Sequence, residues 1–187
     1  MLSKTELRKQ CKQLLNKKPL QTREYEEEKI YERLTNSVEW QSSKTVGLTI
    51  PMNHEIDTKP IIEKGLSENK RIVVPKCHIH DRTMNFYTFT SYSALKRSSF
   101  GILEPDEEKA EMAHQNDINL LVVPGLVFSV TGYRVGHGAG FYDRYLCTFM
   151  NQTISILFEE QLYEEIPVGE HDVPVQKLIT PKRELIV

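Results

Sequence analysis

The chain has 187 residues, 39% hydrophobic and 27% charged, with a formal net charge of -2 at pH 7. That length suits one domain with a sizeable buried core, and the balance is that of an ordinary soluble globular protein. It excludes the clustered basic surface of a nucleic-acid binder, and no stretch approaches the roughly 18 apolar residues of a membrane span.

The first segment, "MLSKTELRKQCKQ", is charged and lacks the apolar core of a signal peptide. Ser3 followed three residues later by Glu6 predicts a capping box at a helix start. Leu7, Cys11, Leu14 and Leu15 recur at helical spacing until Pro19 stops the run. A second, more charged helix is predicted over 22–38, with Ile30, Leu34 and Val38 on its buried stripe. The period then changes. "TVGLTIP" alternates Val46, Leu48 and Ile50 as a strand does. Residues 57–69 predict a helix capped by Asp57 or Thr58, with Pro60 in its first turn. "RIVVP" and "MNFYTF" are strand-like, and 90–117 reads as irregular. "INLLVVPG" and "TISILF" are apolar runs of the kind found in strands covered on both faces, and "KLIT" predicts a last short strand. Strands alternating with helices predict a single α/β layered domain over 1–187, with a largely parallel central sheet flanked by helices. Cys11, Cys77 and Cys147 are odd in number and far apart, which argues against a disulfide framework and for the cytoplasm.

The chemistry concentrates after "INLLVVPG". The stretch "GYRVGHGAGFYDRY" places Gly132, Gly136, Gly138 and Gly140 between that strand and a predicted helix over 141–150. Ligands of open α/β sheets bind outside the carboxyl ends of strands, where such a loop lies. Glycine lets successive N–H groups approach an anion, and the next helix offers its positive end. Neither the dinucleotide fingerprint nor the P-loop pattern fits, because Phe141 stands where a glycine is required and no G-K-[ST] occurs. The residues alone leave open an anion nest or a plain strand–helix connection. Arg134 favours the first, since a guanidinium grips phosphate oxygens in pairs. Asp143 is placed either to hold Mg²⁺ against those phosphates or to stabilise a helix's first turn. His137 is either a phosphate donor or a solvent-facing loop residue.

"LLVVPGLVFSVTGYRVGHGAGFYDRYL" closely resembles the signature of the 5-formyltetrahydrofolate cyclo-ligase (methenyltetrahydrofolate synthetase) family. "SKTELRKQCK", "TIPMNHEIDT", "FGILEP" and "IPVGEHDVPVQKLIT" resemble four further family blocks in the same order, so the likeness covers nearly the whole chain. The resemblance implies ATP-dependent closure of 5-formyltetrahydrofolate to 5,10-methenyltetrahydrofolate. The formyl oxygen attacks the γ-phosphoryl group, N10 then attacks the formyl carbon, and phosphate leaves. Implied partners are these two small molecules, with Mg²⁺ as cofactor, neither nucleic acid nor membrane, and a monomer as the working unit. Position by position, the resemblance assigns Lys4, Arg8 and the run Arg134, Val135, Gly136, His137, Gly138, Ala139, Gly140, Phe141 and Tyr142 to ATP, with Arg134 catalytic. It assigns Ile50, Glu55 and Phe100 to folate, and Asp143 and Asp172 to magnesium.

The chain departs from the family pattern at Phe100 (tryptophan in many members), Phe141 (tyrosine), Ala139 (lysine or glycine) and Gln176 (an acid in some relatives). Lys76, Arg82, Lys96 and Arg97 are candidates for a basic rim around a folate polyglutamate tail. Rival readings are weaker. "CHIHD" lacks the second ligand pair of a zinc site. A nucleotide-sensing regulatory module has no need of the Glu55 segment, and a sugar-phosphate isomerase leaves Lys4 and Arg8 unexplained.

Overall fold

A computed structural model describes residues 2–52, 55–98 and 101–187. The chain opens with helices α1 (Lys4–Lys17), α2 (Leu20–Asn36) and α3 (Val38–Ser42), then β1 (Thr45–Gly47), α4 (Lys59–Ser67), β2 (Arg71–His78) and β3 (Thr83–Thr88). Short strands β4 (Leu95–Arg97), β5 (Leu103–Pro105) and β6 (Met112–Ala113) follow, then β7 (Leu120–Val122), β8 (Val127–Ser129), β9 (Arg134–Val135) and α5 (Phe141–Leu146). The chain ends with β10 (Gln152–Ile156), β11 (Leu162–Tyr163), β12 (Lys177–Ile179) and β13 (Glu184–Ile186).

The main sheet runs β13-β12-β10-β7-β1-β2-β3-β6. Its middle is parallel, from β12 through β10, β7 and β1 to β2. Its flanks are antiparallel, with β13 on β12 at one edge and β3 and β6 beyond β2 at the other. The sheet is therefore mixed, with the expected parallel order confined to the centre. The central strands read as unbroken apolar runs because alternate residues enter different cores. Val46, Leu120, Val122, Ile72 and Val74 pack in one cluster with Leu7, Cys11, Ile30, Leu34 and Ile61, beneath α1, α2 and α4. Leu121, Val123 and Val73 point to the opposite cluster, closed by Leu146 and Phe149 from the α5 region. Period-two alternation thus buries both faces and puts helices on both sides.

The entry to α1 forms as predicted. Ser3 Oγ accepts from the Glu6 amide at 3.3 Å, and Glu6 Oε2 accepts from the Ser3 amide at 2.8 Å. Two stripe residues differ from expectation, with Leu14 48% and Val38 79% exposed. α2 stops at Asn36, because Ser37 leaves helical geometry and its hydroxyl caps the short α3 by accepting from the Trp40 amide. That new start turns the Trp40 indole inward, where Nε1 donates to Glu68 at 2.8 Å. The stretch predicted as irregular contains the β4–β5 hairpin and the edge strand β6.

The glycine-rich connection is also more ordered than a plain loop. β8 and β9 form a hairpin, and β11 joins β8 in a small three-stranded sheet. Gly132 turns that hairpin with φ +79° and leans on the main-sheet edge, its carbonyl accepting from the Val175 amide at 3.0 Å. A Cβ there would collide with the Val175 carbonyl oxygen and meet Val187 carbons at 3.1 Å. Gly132→Ala is expected to lose about 2 kcal/mol through left-handed strain and forced displacement, read as a Tm lowered by about 5 °C. An unchanged melting curve would show that this contact does not bear on stability.

Candidate active site

The carboxyl ends of β1, β7 and β10 open onto a cleft lined by Thr49, Glu55, Pro124, Gly125, Ile156 and Gln161. Beside it, five segments bring charged groups together. α1 supplies Lys4 and Arg8, one helical turn apart on one face. Lys4 pairs with Asp172, whose Oδ2 also accepts from the Gly169 amide at 2.7 Å. Burial raises the Asp172 pKa, but that amide, the Lys4 ammonium and the Arg134 charge outweigh it and hold the carboxyl below its ordinary range. Arg8 Nε donates to the Gly136 carbonyl at 2.7 Å. Gly138 has φ +105°, and a Cβ there would lie 3.4 Å from the Arg8 guanidinium, so this glycine lets the arginine lie flat on the loop.

Arg134 sits behind the loop rather than on its surface, only 4% exposed. Its Nη1 donates to the Val173 carbonyl at 2.6 Å and its Nη2 to Asp143 Oδ1 at 3.0 Å. Asp143 Oδ1 also accepts from the Val173 amide at 3.4 Å. Arg134 and Asp143 therefore lock the 169–173 segment, and with it Asp172, against the glycine loop. Burial pulls the guanidinium pKa down, opposed chiefly by Asp143, and arginine stays charged regardless.

The loop's far side reaches Glu55. His137 Nε2 lies 2.9 Å from Glu55 Oε1, and Glu55 Oε2 accepts from the Met52 amide at 2.8 Å. The Tyr142 hydroxyl is buried with no hydrogen-bond partner among the described residues. Burial above all, with Cys77 and the Glu55 carboxylate adding to it, pushes the Tyr142 pKa far up, so the hydroxyl keeps its proton.

The structure thus gathers Lys4, Arg8, Arg134, Gly136, His137, Gly138, Asp143, Asp172 and Glu55 into one region. Val135 is buried in the core beneath α1, so only its backbone faces the site. Gly140 caps α5, and the Ala139 carbonyl accepts from Arg144 Nη2 at 2.8 Å. Phe141 lies under the Arg144 guanidinium at 5.4 Å. Ile50 packs half-buried against the core cluster, and Phe100 lies outside the described residues. α5 ends at Leu146, well short of the expected 150, so its dipole adds little. Arg144 was not singled out in the sequence, yet its Nε also donates to the Arg82 carbonyl at 2.8 Å, clasping the loop from outside. Its one available signal was its place directly after Asp143. Of the basic-rim candidates, Lys76 pairs with Glu107 and Lys96 with the neighbouring Asp106. "CHIHD" spans the end of β2 and the turn into β3, where Asp81 accepts from the Thr83 amide at 3.1 Å.

A mixed sheet carrying polar side chains above the ends of its parallel strands is the architecture of an α/β enzyme. The profile of the 5-formyltetrahydrofolate cyclo-ligase family matches residues 1–181. The chain belongs to that family, whose members are ligases. Its relatives include a probable 5-formyltetrahydrofolate cyclo-ligase of Caenorhabditis elegans, 29% identical over 94% of this chain and 91% of that one. The 5-formyltetrahydrofolate cyclo-ligase of Mus musculus is 30% identical over 75% of each chain. The solved structure of Aquifex aeolicus 5,10-methenyltetrahydrofolate synthetase, 30% identical, matches with a TM-score of 0.85 over 98% of this chain and 92% of that one. The Mycoplasma pneumoniae 5,10-methenyltetrahydrofolate synthetase, 23% identical with a TM-score of 0.78, shares the fold.

Proposed function

We propose that this chain is an ATP-dependent 5-formyltetrahydrofolate cyclo-ligase whose nucleotide and folate subsites meet at the glycine loop. One observation carries the reading. The loop that meets the α1 cation Arg8 on one side touches, through His137, the carboxylate of Glu55 on the other. A reaction joining a γ-phosphoryl group to a formyl oxygen requires that adjacency, because such transfers depend on positioning and charge stabilisation. Lys4 and Arg8 offset the triphosphate charge, and loop N–H groups complete the anion nest. Glu55 accepts N–H bonds from the pterin ring. The formyl oxygen forms a bond to the γ-phosphorus while the bond to ADP breaks. N10 then attacks the activated carbon and loses its proton, and phosphate departs.

Asp143 and Asp172 suit Mg²⁺, because each has one oxygen held by a cation and a backbone amide while the other makes no hydrogen bond among the described residues. When bound at these carboxylates, the ion would supply positive charge that offsets the negative charge developing on the phosphate oxygens. Arg134 contributes by orienting Asp143. The three cysteines are unpaired, which supports a reducing, cytoplasmic setting, and we take a monomer as the working unit.

The test is absorbance in the methenyl-folate band with purified protein, 5-formyltetrahydrofolate, ATP and Mg²⁺. A rise requiring all three additions and stopped by EDTA is expected. In that assay Asp143→Asn should raise the half-saturating Mg²⁺ concentration about tenfold. Thermal stabilisation by ATP without any absorbance change would instead support a nucleotide-sensing module.

A further inference from the structure

Helix α2 contributes nothing to the site just described, yet one row of its surface is spent on the segment that carries Glu55. Arg23, Glu27 and Tyr31 stand four residues apart, so they share a face. Arg23 Nη2 donates to the Glu55 carbonyl. Glu27 Oε1 accepts from the Asp57 amide at 3.2 Å, and the Tyr31 hydroxyl donates to the Asp57 carbonyl at 2.7 Å. Arg23 Nε donates to the same Glu27 oxygen at 3.0 Å, and its guanidinium lies 5.6 Å from the centre of the Phe158 ring beyond β10. Between the two clamped residues, Ile56 is buried in the core. The backbone on both sides of Ile56 is therefore satisfied by side chains of one helix rather than by a sheet partner.

Glu27 is itself buried. A buried ion pair adds little net stability over apolar packing, so its use here points to fixing a geometry. We propose that Arg23, Glu27 and Tyr31 are positioning residues that hold the Glu55 carboxylate for the pterin from behind. The proposal rests on the cyclo-ligase reading for the identity of the ligand. The row touches neither α1 cation and meets the glycine loop through the Glu55–His137 contact, so loosening it affects folate recognition far more than the nucleotide side.

The experiment uses the full chain with Arg23→Met, Glu27→Ala, Glu27→Gln and Tyr31→Phe. KM is measured separately for 5-formyltetrahydrofolate and ATP, and amide hydrogen exchange is followed over 55–57. Losing a hydrogen bond to a charged group should raise the folate KM about tenfold in Arg23→Met and Glu27→Ala, with the ATP KM held within about twofold. Glu27→Gln keeps the acceptor oxygen and should restore folate KM toward the starting value. Tyr31→Phe, the mildest change, should raise it about threefold. Exchange at Asp57 should quicken in Arg23→Met and Glu27→Ala. Folded variants whose two KM values move together, or whose exchange at 55–57 is unchanged, overturn the proposal. If the unmodified chain does not turn over 5-formyltetrahydrofolate, the cyclo-ligase reading fails first, and exchange alone then decides whether α2 holds this segment.

Discussion

Arg134→Ala is expected to lower kcat/KM by about a hundredfold and to destabilise the fold by about 3 kcal/mol. Both effects come from the same two bonds. With the guanidinium gone, the Val173 carbonyl and Asp143 Oδ1 lose their donor, and a partly buried carboxylate is left without its counter-charge. The 169–173 segment then loosens, and Asp172 with it. Arg134→Lys keeps a charge but lacks the paired N–H geometry, so it can serve Val173 or Asp143 and not both. It should recover a good part of the stability and little of the turnover, with a raised Mg²⁺ requirement as the signature of a displaced Asp143. Thermal melting and activity per folded molecule separate the two contributions. A variant that melts early but turns over normally per folded molecule would make Arg134 purely structural.

The inward turn of Arg134 was hidden in the sequence for a physical reason. A glycine loop with an arginine suggests a side chain presented to solvent. Whether the guanidinium turns outward or back into the protein depends on Val173, 39 residues away, and on the β8–β9 hairpin, whose strands are too short to show a period. The same limit explains β4, β5, β6 and β13, whose strand character comes from partners rather than local pattern. Long signals were legible. The Ser3–Glu6 cap, the helical stripe of Leu7, Cys11 and Leu15, and the doubly covered runs at β7 and β10 each follow from local chemistry. Val38 was misread because helical periodicity continues across Ser37, and a cap residue interrupts a helix without changing that period. In the site, the glycines and the acids were visible as residue types. The α2 row was not, because Arg23, Glu27 and Tyr31 on a charged helix look like a solvated face until their backbone acceptors are known.

The double variant Lys4→Ala/Arg8→Ala should weaken ATP binding about a hundredfold, roughly tenfold for each lost cation. The two side chains meet different protein groups, Asp172 and the Gly136 carbonyl, so the variant removes both cations without unpairing one through the other. Without ATP the melting temperature should change little, because Lys4 is partly exposed and such pairs are worth about 1 kcal/mol or less. With ATP well above its Kd, a hundredfold weakening removes about 2.7 kcal/mol of ligand-dependent stabilisation, which a thermal-shift titration resolves. If ATP stabilises the double variant as well as the parent, these cations are a solvated face of α1 and the nucleotide lies elsewhere. Asp172→Asn sharpens the test through the sign of its effect. In EDTA, removing this carboxylate removes a like charge facing the phosphates and frees Lys4, so ATP should bind more tightly. In Mg²⁺ the same change removes a ligand oxygen, so binding should weaken. A reversal of sign on adding the metal is what the proposed arrangement requires, whereas a purely electrostatic role would give the same sign in both buffers.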